Sequence, residues 1–263
     1  MPDKGNNRIL ILMPARNEQG RIGVVIGAAR RTVPGADLVV VNDDSSDATA
    51  AEALAAGAIV LPHPVNLGYG AGLETGYTYA VRNGYDLVLQ MDADGQHVAD
   101  ELPFLLAPLL SGRADLVLGS RFLGPGTCGK IPTVRRMGQR FFAGILHLLT
   151  GQRFTDPTSG FQGLNGRTLA LFSSGVFPCD YPDADVLLMA HRAGLNITEV
   201  PVVMRPRTGG TSMHSGLKPL YYGIKMLLSL FIVLLNSGLW HAWCLQHPGP
   251  AACAGSPPRA AAG

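Results

Sequence analysis

The sequence has 263 residues, enough for one large α/β domain or for one domain with a short appendage. Apolar residues make up 47% of it and charged residues 15%, so a sizeable core can form. The formal net charge of +2 argues against a nucleic-acid-binding protein, which would carry a strong basic excess. The four cysteines are scattered without a Cys-x-x-Cys pair, which favours reduced thiols over a structural zinc site.

The first half of the sequence alternates short apolar runs with helical patterns. Strands are predicted at 8–13, 37–41, 58–61, 85–91 and 114–119, and helices at 18–31, 47–56, 71–83 and 100–111. The run at 85–91 is nearly all apolar, as expected for a strand buried on both faces. This order predicts an α/β fold with a mostly parallel sheet flanked by helices.

Polar clusters follow four of the predicted strands. They are Arg16-Asn17-Glu18, the run from Asn42 to Asp47, the run from Asp92 to His97, and Gly119-Ser120-Arg121. Sheets of this kind bind their ligands at the carboxyl ends of the strands. The sequence therefore predicts an active site at this edge of the sheet.

Asp92 and Asp94 are separated by one alanine, directly after a buried strand. Two carboxylates at this spacing can both face Mg²⁺ or Mn²⁺, which bridges the oxygens of a diphosphate. An isolated Asp-x-Asp is a weak signal, but two acids at the end of an apolar strand are costly to bury unless they are paired or bind a metal. We therefore predict a metal site here, with Gln96 and His97 as nearby polar support.

The run from Asn42 to Asp47 ends a second strand. Asp43 is predicted to accept hydrogen bonds from a nucleobase, whereas Ser46 and Asp47 would cap the next helix. A cap explains those two residues but not the preceding pair of acids.

Arginine binds phosphate oxygens through two parallel donors and stays charged when it is desolvated. The candidates for anion binding are Arg121, Arg135, Arg136, Arg205 and Arg207. Arg136 and Arg140 are better explained as surface charges. Arg207 lies in a Gly-, Ser- and Thr-rich loop that could close over a diphosphate.

The second half of the sequence is less regular. It predicts helices at 135–150 and 183–193, a strand at 195–204 and a loop at 205–216. The longest apolar run, at 226–235, is about half of what a membrane-spanning helix takes. We expect a catalytic domain at 1–216, an apolar helix at 217–240 and a disordered tail at 241–263. The helix would lie at a membrane interface or pack on the core.

Seven motifs, in this order and spacing, make residues 9–235 resemble the family-2 inverting glycosyltransferases, most closely their dolichyl-phosphate mannosyltransferase-like branch. The motifs are Pro-Ala-Arg-Asn-Glu at 14–18, Val-Asn-Asp-Asp-Ser-Ser-Asp at 41–47, Asn-Leu-Gly at 66–68, Met-Asp-Ala-Asp-Gly-Gln-His at 91–97, Gly-Ser-Arg at 119–121, Asp-Pro-Thr-Ser-Gly-Phe at 156–161 and Glu-Val-Pro at 199–201.

The resemblance implies a Rossmann-like, nucleotide-sugar-binding glycosyltransferase-A fold. It also implies roles for single residues. The donor would contact Pro14, Arg16, Glu18, Val41, Asp43 and Ala93. The metal would bind Asp92, Asp94 and Gln96, phosphate groups would bind Arg121 and Arg207, and an acceptor phosphate would lie near Arg135.

Three departures from the motifs leave the donor open between GDP-mannose and a UDP-hexose. Asn42 opens a segment that usually reads Asp-Asp-Gly-Ser, Arg16 takes the place of a tyrosine, and Met213 replaces a lysine of the mannosyltransferases. The resemblance favours polyprenyl phosphate as the acceptor. It also implies a peripheral protein that binds this acceptor at the cytoplasmic face of the membrane.

A carbohydrate hydroxyl is the alternative acceptor, in cell-surface polysaccharide synthesis. A hydroxyl needs a general base, and Asp185 aligns with the position of that carboxylate in many relatives. Two further alternatives are a nucleotidyltransferase, whose glycine- and basic-rich loop is missing after the first strand, and a catalytically inactive binding protein.

Overall fold

The computed structural model describes residues 7–124, 133–178, 182–205 and 218–247. Its strands are β1 (Ile9–Ala15), β2 (Asp37–Asp43), β3 (Ile59–His63), β4 (Leu87–Gln90), β5 (Leu116–Ser120), β6 (Gln162–Asn165) and β7 (Ile197–Pro201). Its helices are α1 (Ile22–Thr32), α2 (Thr49–Ala55), α3 (Tyr69–Arg82), α4 (Leu102–Leu110), α5 (Thr133–Thr150), α6 (Gly166–Phe172), α7 (Ala184–Arg192), α8 (Lys218–Leu235) and α9 (Ser237–Gln246).

The seven strands form one sheet in the order β3-β2-β1-β4-β6-β5-β7. β6 pairs antiparallel with β4 and β5, and the other pairings are parallel. The predicted mostly parallel sheet flanked by helices is confirmed. β6 and α6 were not predicted. Because β6 is reversed, it begins at the edge where β4 and β5 end, and the loop before it lies at that edge.

Two apolar cores lie on the two faces of the sheet. The side chains of β1 alternate between them, with Leu10 and Leu12 in one core and Ile11 and Met13 in the other. The first core also contains residues of α3 and of α5 to α9, and the second contains residues of α1, α2 and α4. This alternation is the period-two pattern of a strand buried on both faces.

Helix α3 lies directly on the central strand β1 because two of its glycines face the sheet. A Cβ atom on Gly76 would collide with the Leu12 side chain, and one on Gly72 would lie 3.6 Å from Pro14 Cβ. This close approach brings the start of α3, at Tyr69, to the carboxyl end of the neighbouring strands.

The C-terminal helices α8 and α9 pack on the first core. Met226, Leu230 and Val233 bury one side of α8, and the indole N–H of Trp240 donates to the Val233 carbonyl at 2.8 Å. α9 continues to Gln246, so the expectation of disorder from residue 241 is wrong for 241–246, which are helical because Trp240 anchors the helix. Residues 248–263 lie outside the described residues.

Within the described ranges, no single helix has both the length and the apolarity of a membrane span. The segments Tyr222–Leu235 and Gly238–Gln246 reach that length only together, and the chain bends by 59° between them.

Candidate active site

Four polar clusters meet at one edge of the sheet. β1, β2 and β4 are parallel, and β5 shares their direction because both β4 and β5 run opposite to β6. Their carboxyl ends therefore face the same way, which confirms the predicted common edge. In the sheet, β2 and β3 lie on one side of β1, and β4 and the later strands lie on the other, so the chain changes direction across the sheet at β1. Open α/β sheets have a crevice at such a switch point.

The Asp92 carboxylate lies between two ring side chains. The Tyr69 hydroxyl donates to Oδ1 at 2.9 Å, and His97 Nε2 lies 3.7 Å from Oδ2. The backbone N–H of Asp92 donates to His97 Nδ1 at 2.8 Å. Burial, followed by the charge of Asp92, raises the pKa of Tyr69 well above its ordinary value, so the hydroxyl keeps the proton that it donates.

His97 is a buried support for Asp92. Its ring stacks on Phe161, with 4.7 Å between the ring centroids. Burial lowers the pKa of His97, against a smaller opposing effect of Asp92 and Asp94. The ring is therefore neutral at pH 7, and because Nδ1 accepts a hydrogen bond, the proton lies on Nε2, toward the Asp92 carboxylate.

Asp94 is held by Gln96. The backbone N–H of Gln96 donates to Asp94 Oδ1 at 3.0 Å, and its side-chain amide nitrogen donates to Oδ2. Gln96 thus orients Asp94 in this structure, and its predicted role as a metal ligand stays a prediction. The Gln96 carbonyl accepts from the backbone of Arg205, which joins this loop to the segment after β7.

The carboxylates fit a divalent cation that takes its other ligands from a substrate. Among the residues that the structure describes, no three His, Cys, Asp or Glu side chains form a group suited to a metal ion. Mg²⁺ is commonly held by one or two carboxylates together with phosphate oxygens and water. Asp92 and Asp94 would supply two such carboxylates, and both residues are only partly buried.

The Asp43 carboxylate accepts hydrogen bonds from other residues of the protein. Oδ1 accepts from His63 Nδ1 and from the Leu67 N–H, both at 2.8 Å, and Oδ2 accepts from the Gly68 N–H at 3.0 Å. Burial alone would raise the pKa of Asp43, but these hydrogen bonds outweigh it and hold the pKa below its ordinary value. The carboxylate fixes the 66–68 segment, a role that sequence reasoning missed, and its contact with a nucleobase stays a prediction.

The loops after β1 and β2 are joined by hydrogen bonds. Asn17, at a φ of 56°, donates its N–H to Ser45 Oγ at 3.0 Å and accepts the Ser46 N–H at 2.9 Å. The N–H of Glu18 donates to Thr49 Oγ1 at 2.7 Å. The two polar clusters thus form one rigid corner.

The other residues predicted to contact the donor differ in exposure. Arg16 is exposed beside the corner formed by the β1 and β2 loops, and Glu18 is buried with an ion pair to Arg21. Pro14, Val41 and Ala93 are buried side chains. Their predicted contacts with the donor stay predictions.

Arg121 forms a two-pronged ion pair with Asp156. Its Nε lies 2.7 Å from Oδ2, and one terminal nitrogen lies 2.8 Å from Oδ1. The buried Asp156 receives further support from Glu199, which accepts its backbone N–H at 2.9 Å. The motifs at 119–121, 156–161 and 199–201 therefore meet in one cluster, and Arg121 and Asp156 are near enough to influence the pKa of His97.

A cavity of about 260 Å³ lies beside this cluster. Its lining combines cations with aromatic rings and consists of Phe122, Arg136, Gln139, Arg140, Ala143, Phe154 and Thr155. Phe122 and Thr155 are the chain neighbours of Arg121 and Asp156. Arg136 and Arg140 are exposed, as expected for surface charges, but both also face this cavity.

Asp185 lies in α7 and is almost fully buried. It accepts the Ser229 hydroxyl of α8 and the backbone N–H groups of Asp183 and Val186. Burial raises the pKa of Asp185, although these hydrogen bonds oppose the shift. The carboxylate joins two helices, and its predicted role in catalysis stays a prediction.

Two predicted arginines remain without a described side chain. Arg207 and the side chain of Arg135 lie outside the described residues, although the backbone of Arg135 belongs to the first turn of α5.

Sequence reasoning also missed Tyr69 and Gln90. The available signal was Gln90 itself, a polar residue that ends the buried strand β4 and therefore needs a partner.

Comparison with known proteins agrees with this architecture. The family model described as Glycosyl transferase family 2 matches residues 10–168. The undecaprenyl-phosphate mannosyltransferase of Micrococcus luteus is 34% identical over 218 residues, which cover 80% of this chain and 88% of that protein. The polyprenol monophosphomannose synthase of Mycolicibacterium smegmatis is 30% identical over 218 residues, with 80% and 82% covered.

A solved structure supports the fold. Glucosyl-3-phosphoglycerate synthase from Mycobacterium tuberculosis, crystallised with Mn²⁺, UDP-glucose and phosphoglyceric acid, aligns with a TM-score of 0.68 and 24% identity, covering 88% of this chain and 80% of that one. The extent of the family match and the identity to these relatives show that the chain belongs to glycosyl transferase family 2 and is a glycosyltransferase with the glycosyltransferase-A fold.

Proposed function

We propose that the protein transfers a hexosyl group from a nucleoside diphosphate sugar to a polyprenyl phosphate, with inversion at the anomeric carbon. The observation that carries this proposal is the cavity beside the Arg121–Asp156 pair. Its two arginines suit a phosphate group, and Phe122 and Phe154 suit the first isoprene units of a lipid. The names of two relatives, an undecaprenyl-phosphate mannosyltransferase and a polyprenol monophosphomannose synthase, support the same acceptor class.

In the proposed reaction, an acceptor phosphate oxygen attacks the anomeric carbon and the bond to the donor diphosphate breaks. Asp92 and Asp94 would hold Mg²⁺ or Mn²⁺, which supplies positive charge against the departing diphosphate. Arg121 would add a charged donor at the same edge. The residues from Pro14 to Glu18, with Val41, Asp43 and Ala93, would border the nucleoside, whose base stays open between guanine and uracil.

A phosphate acceptor is already anionic at pH 7 and needs no general base. The environment of Asp185 agrees with this, because the carboxylate is 2% exposed and occupied by Ser229 and backbone N–H groups. A carbohydrate hydroxyl acceptor would require a carboxylate with free access to the acceptor proton. Asp185 in this setting therefore supports the lipid phosphate over the hydroxyl.

Peripheral contact with the cytoplasmic face of a membrane is part of the proposal. One side of α8 is exposed and apolar, with residues at helical spacing: Ile224, Leu227, Leu228, Phe231, Ile232 and Leu235. Helix α5, which carries Arg136 and Arg140, also exposes Met137, Phe141 and Leu148. Apolar stripes next to cations suit a surface that rests on anionic lipid headgroups.

The proposal is tested with purified protein, Mg²⁺ or Mn²⁺, and a panel of GDP- and UDP-sugars. Each donor is offered with polyprenyl phosphate, with the matching polyprenol, or with an oligosaccharide. We expect release of nucleoside diphosphate and a glycosylated lipid with polyprenyl phosphate alone, and no turnover in EDTA. Transfer to the oligosaccharide in preference to the lipid phosphate would overturn the acceptor assignment.

The metal assignment has its own test in the Asp92→Ala and Asp94→Ala variants. Each is expected to lower the rate by at least about 100-fold, because a ligand of the cation is lost. Asp100→Ala, which removes an exposed acid from the segment after the loop, serves as the control. Full metal-dependent turnover in either variant would place the centre elsewhere.

A further inference from the structure

We propose that Tyr69 is a positioning residue, whose hydroxyl sets the Asp92 carboxylate for the divalent cation and ties it to the segment fixed by Asp43. The inference rests on the metal site of the proposed function and assigns a role to a residue outside the acidic motif. It follows from the direction of the hydrogen bonds around Tyr69, from the close approach of the Tyr69 hydroxyl to Gly160, and from the second anchor at Asp43.

The hydrogen bonds around Gln90 determine where the Tyr69 proton points. Gln90 Nε2 donates to the Gly160 carbonyl at 2.9 Å and to the Tyr69 hydroxyl oxygen at 3.3 Å, while Gln90 Oε1 accepts from Tyr77. A hydroxyl has one proton to donate. Because the Tyr69 oxygen already accepts from Gln90, that proton is directed to Asp92 Oδ1.

Gly160 leaves the space that the Tyr69 hydroxyl occupies beside Asp92. A Cβ atom at this position would lie 2.8 Å from the Tyr69 oxygen and 3.8 Å from Asp92 Oδ1. The glycine of the 156–161 motif therefore permits the contact between Tyr69 and Asp92. This is a steric requirement for glycine that no turn geometry explains, since Gly160 is not among the residues with positive φ.

The backbone just before Tyr69 is held at a second carboxylate. Asp43 accepts the N–H groups of Leu67 and Gly68, so residues 67–69 extend from the end of β2 to the loop after β4. Residues 67–69 therefore connect the Asp43 carboxylate to the Asp92 carboxylate. The proposed nucleoside end and metal end of the site are thereby linked by the chain itself.

Loss of the Tyr69 hydroxyl would leave Asp92 Oδ1 without this donor, while the contacts of Asp92 to His97 remain. The carboxylate could then rotate, and metal binding would have to order it again. Mutation of a side chain that orients a metal ligand typically lowers metal affinity by about 10- to 100-fold. We expect Tyr69→Phe to weaken Mn²⁺ binding by about tenfold or more.

The experiment measures Mn²⁺ binding by electron paramagnetic resonance on the full-length protein, in the presence of UDP or GDP and without acceptor. Tyr85→Phe is the matched control, because it removes a tyrosine–aspartate hydrogen bond of 2.7 Å to Asp37 at the start of β2, on the opposite edge of the sheet. Tyr69→Phe should weaken Mn²⁺ binding with the unfolding midpoint nearly unchanged, and Tyr85→Phe should leave Mn²⁺ affinity unchanged.

A second variant tests the same contact without removing the hydroxyl. In Gly160→Ala the new methyl group would displace the Tyr69 oxygen from Asp92, so Mn²⁺ binding should weaken again. Wild-type affinity in both variants would overturn the inference and leave the proposed function intact. If the wild-type protein bound no Mn²⁺ with either nucleotide, the metal assignment would fail, and the role of Tyr69 with it.

Discussion

At the scale of single residues, Asp43 is a buried acid whose charge stabilises the fold. Three donors, from His63, Leu67 and Gly68, surround its carboxylate. The folded-state pKa lies below 3.8, the value of the free side chain. The stabilisation is therefore fully present above about pH 4 and is lost as the pH falls through the folded-state pKa.

We expect Asp43→Asn to lower the free energy of unfolding by about 1–3 kcal/mol at pH 7, because an amide nitrogen would face a backbone N–H. The difference from the wild type should narrow as the pH falls below 4, where the Asp43 carboxylate of the wild type becomes protonated. Urea unfolding at several pH values measures it. The neighbouring Asp44→Asn is the control, since Asp44 is exposed and asparagine tolerates its φ of 55°. An Asp43 difference that is independent of pH would contradict the assignment.

Asp185 separates the two acceptor classes. If the acceptor is a lipid phosphate, Asp185→Asn should lower the rate by less than about tenfold, because the carboxylate only joins α7 to α8. Ser229→Ala removes its partner on α8 and should give a similar effect, and the double variant should be little worse than either single one. Loss of activity in Asp185→Asn alone, at unchanged stability, would identify a general base.

The residues that sequence reasoning missed share a physical reason. Tyr69 lies on α3 and Gln90 on β4, and the approach of α3 to β1 brings Tyr69 to both Gln90 and Asp92. The spacing of Asp92 and Asp94, by contrast, lies within one loop and is visible in the sequence. Local patterns thus predicted the acids and their chain neighbours Gln96 and His97, but not Tyr69, which comes from another element.

At the scale of secondary structure, the strands with apolar runs were predicted and the short reversed strand was not. β6 reads Gln-Gly-Leu-Asn, which has neither an apolar run nor a β-branched or aromatic residue. β6 is held in the sheet by its pairing with β4 and β5 and by the packing of α4 on it. Helix α6 has seven residues, too few for a clear helical period.

Gly163 explains how so polar a strand is buried. A Cβ atom there would lie 2.9 Å from Leu109 Cδ1 and 3.1 Å from the Leu105 carbonyl oxygen, so α4 packs directly on the backbone of β6. We expect Gly163→Ala to destabilise the protein by about 1–3 kcal/mol, because the helix would have to move.

Chemical denaturation of Gly163→Ala is compared with that of Gly166→Ala. Gly166 starts α6, and its nearest neighbour to a new Cβ is the Asp86 carbonyl at 4.0 Å. Its substitution should change stability by less than about 0.5 kcal/mol. Equal stability of the two variants would show that α4 does not need the glycine.

At the scale of the whole molecule, the two faces of the sheet expose different surfaces. The face with α8 carries the apolar stripe from Ile224 to Leu235, and the opposite face is covered by α1, α2 and α4. Phe231 on α8 is 56% exposed, and Phe104 on α4 is 55% exposed. This pair allows the proposed membrane contact to be tested with closely matched side chains.

Phe231→Ser should weaken binding to vesicles that contain anionic lipid by about three- to tenfold, because an aromatic side chain no longer enters the interface. Phe104→Ser should leave vesicle binding unchanged, and both variants should keep Mn²⁺ binding. Cosedimentation with vesicles measures the effect. Equal vesicle binding by the two variants would remove α8 from the membrane contact.

The position of the reversed strand β6 between β4 and β5 also bears on how the chain folds. As the chain is synthesised, β1 to β5 emerge first, and until β6 follows, β4 has an unpaired edge. That edge ends just before Asp92 and Asp94. Sheets completed by such distant pairings form slowly, and an open strand edge invites pairing with other chains. The sheet edge that leads to Asp92 and Asp94 is thus closed by a strand that follows it by about 70 residues in the chain.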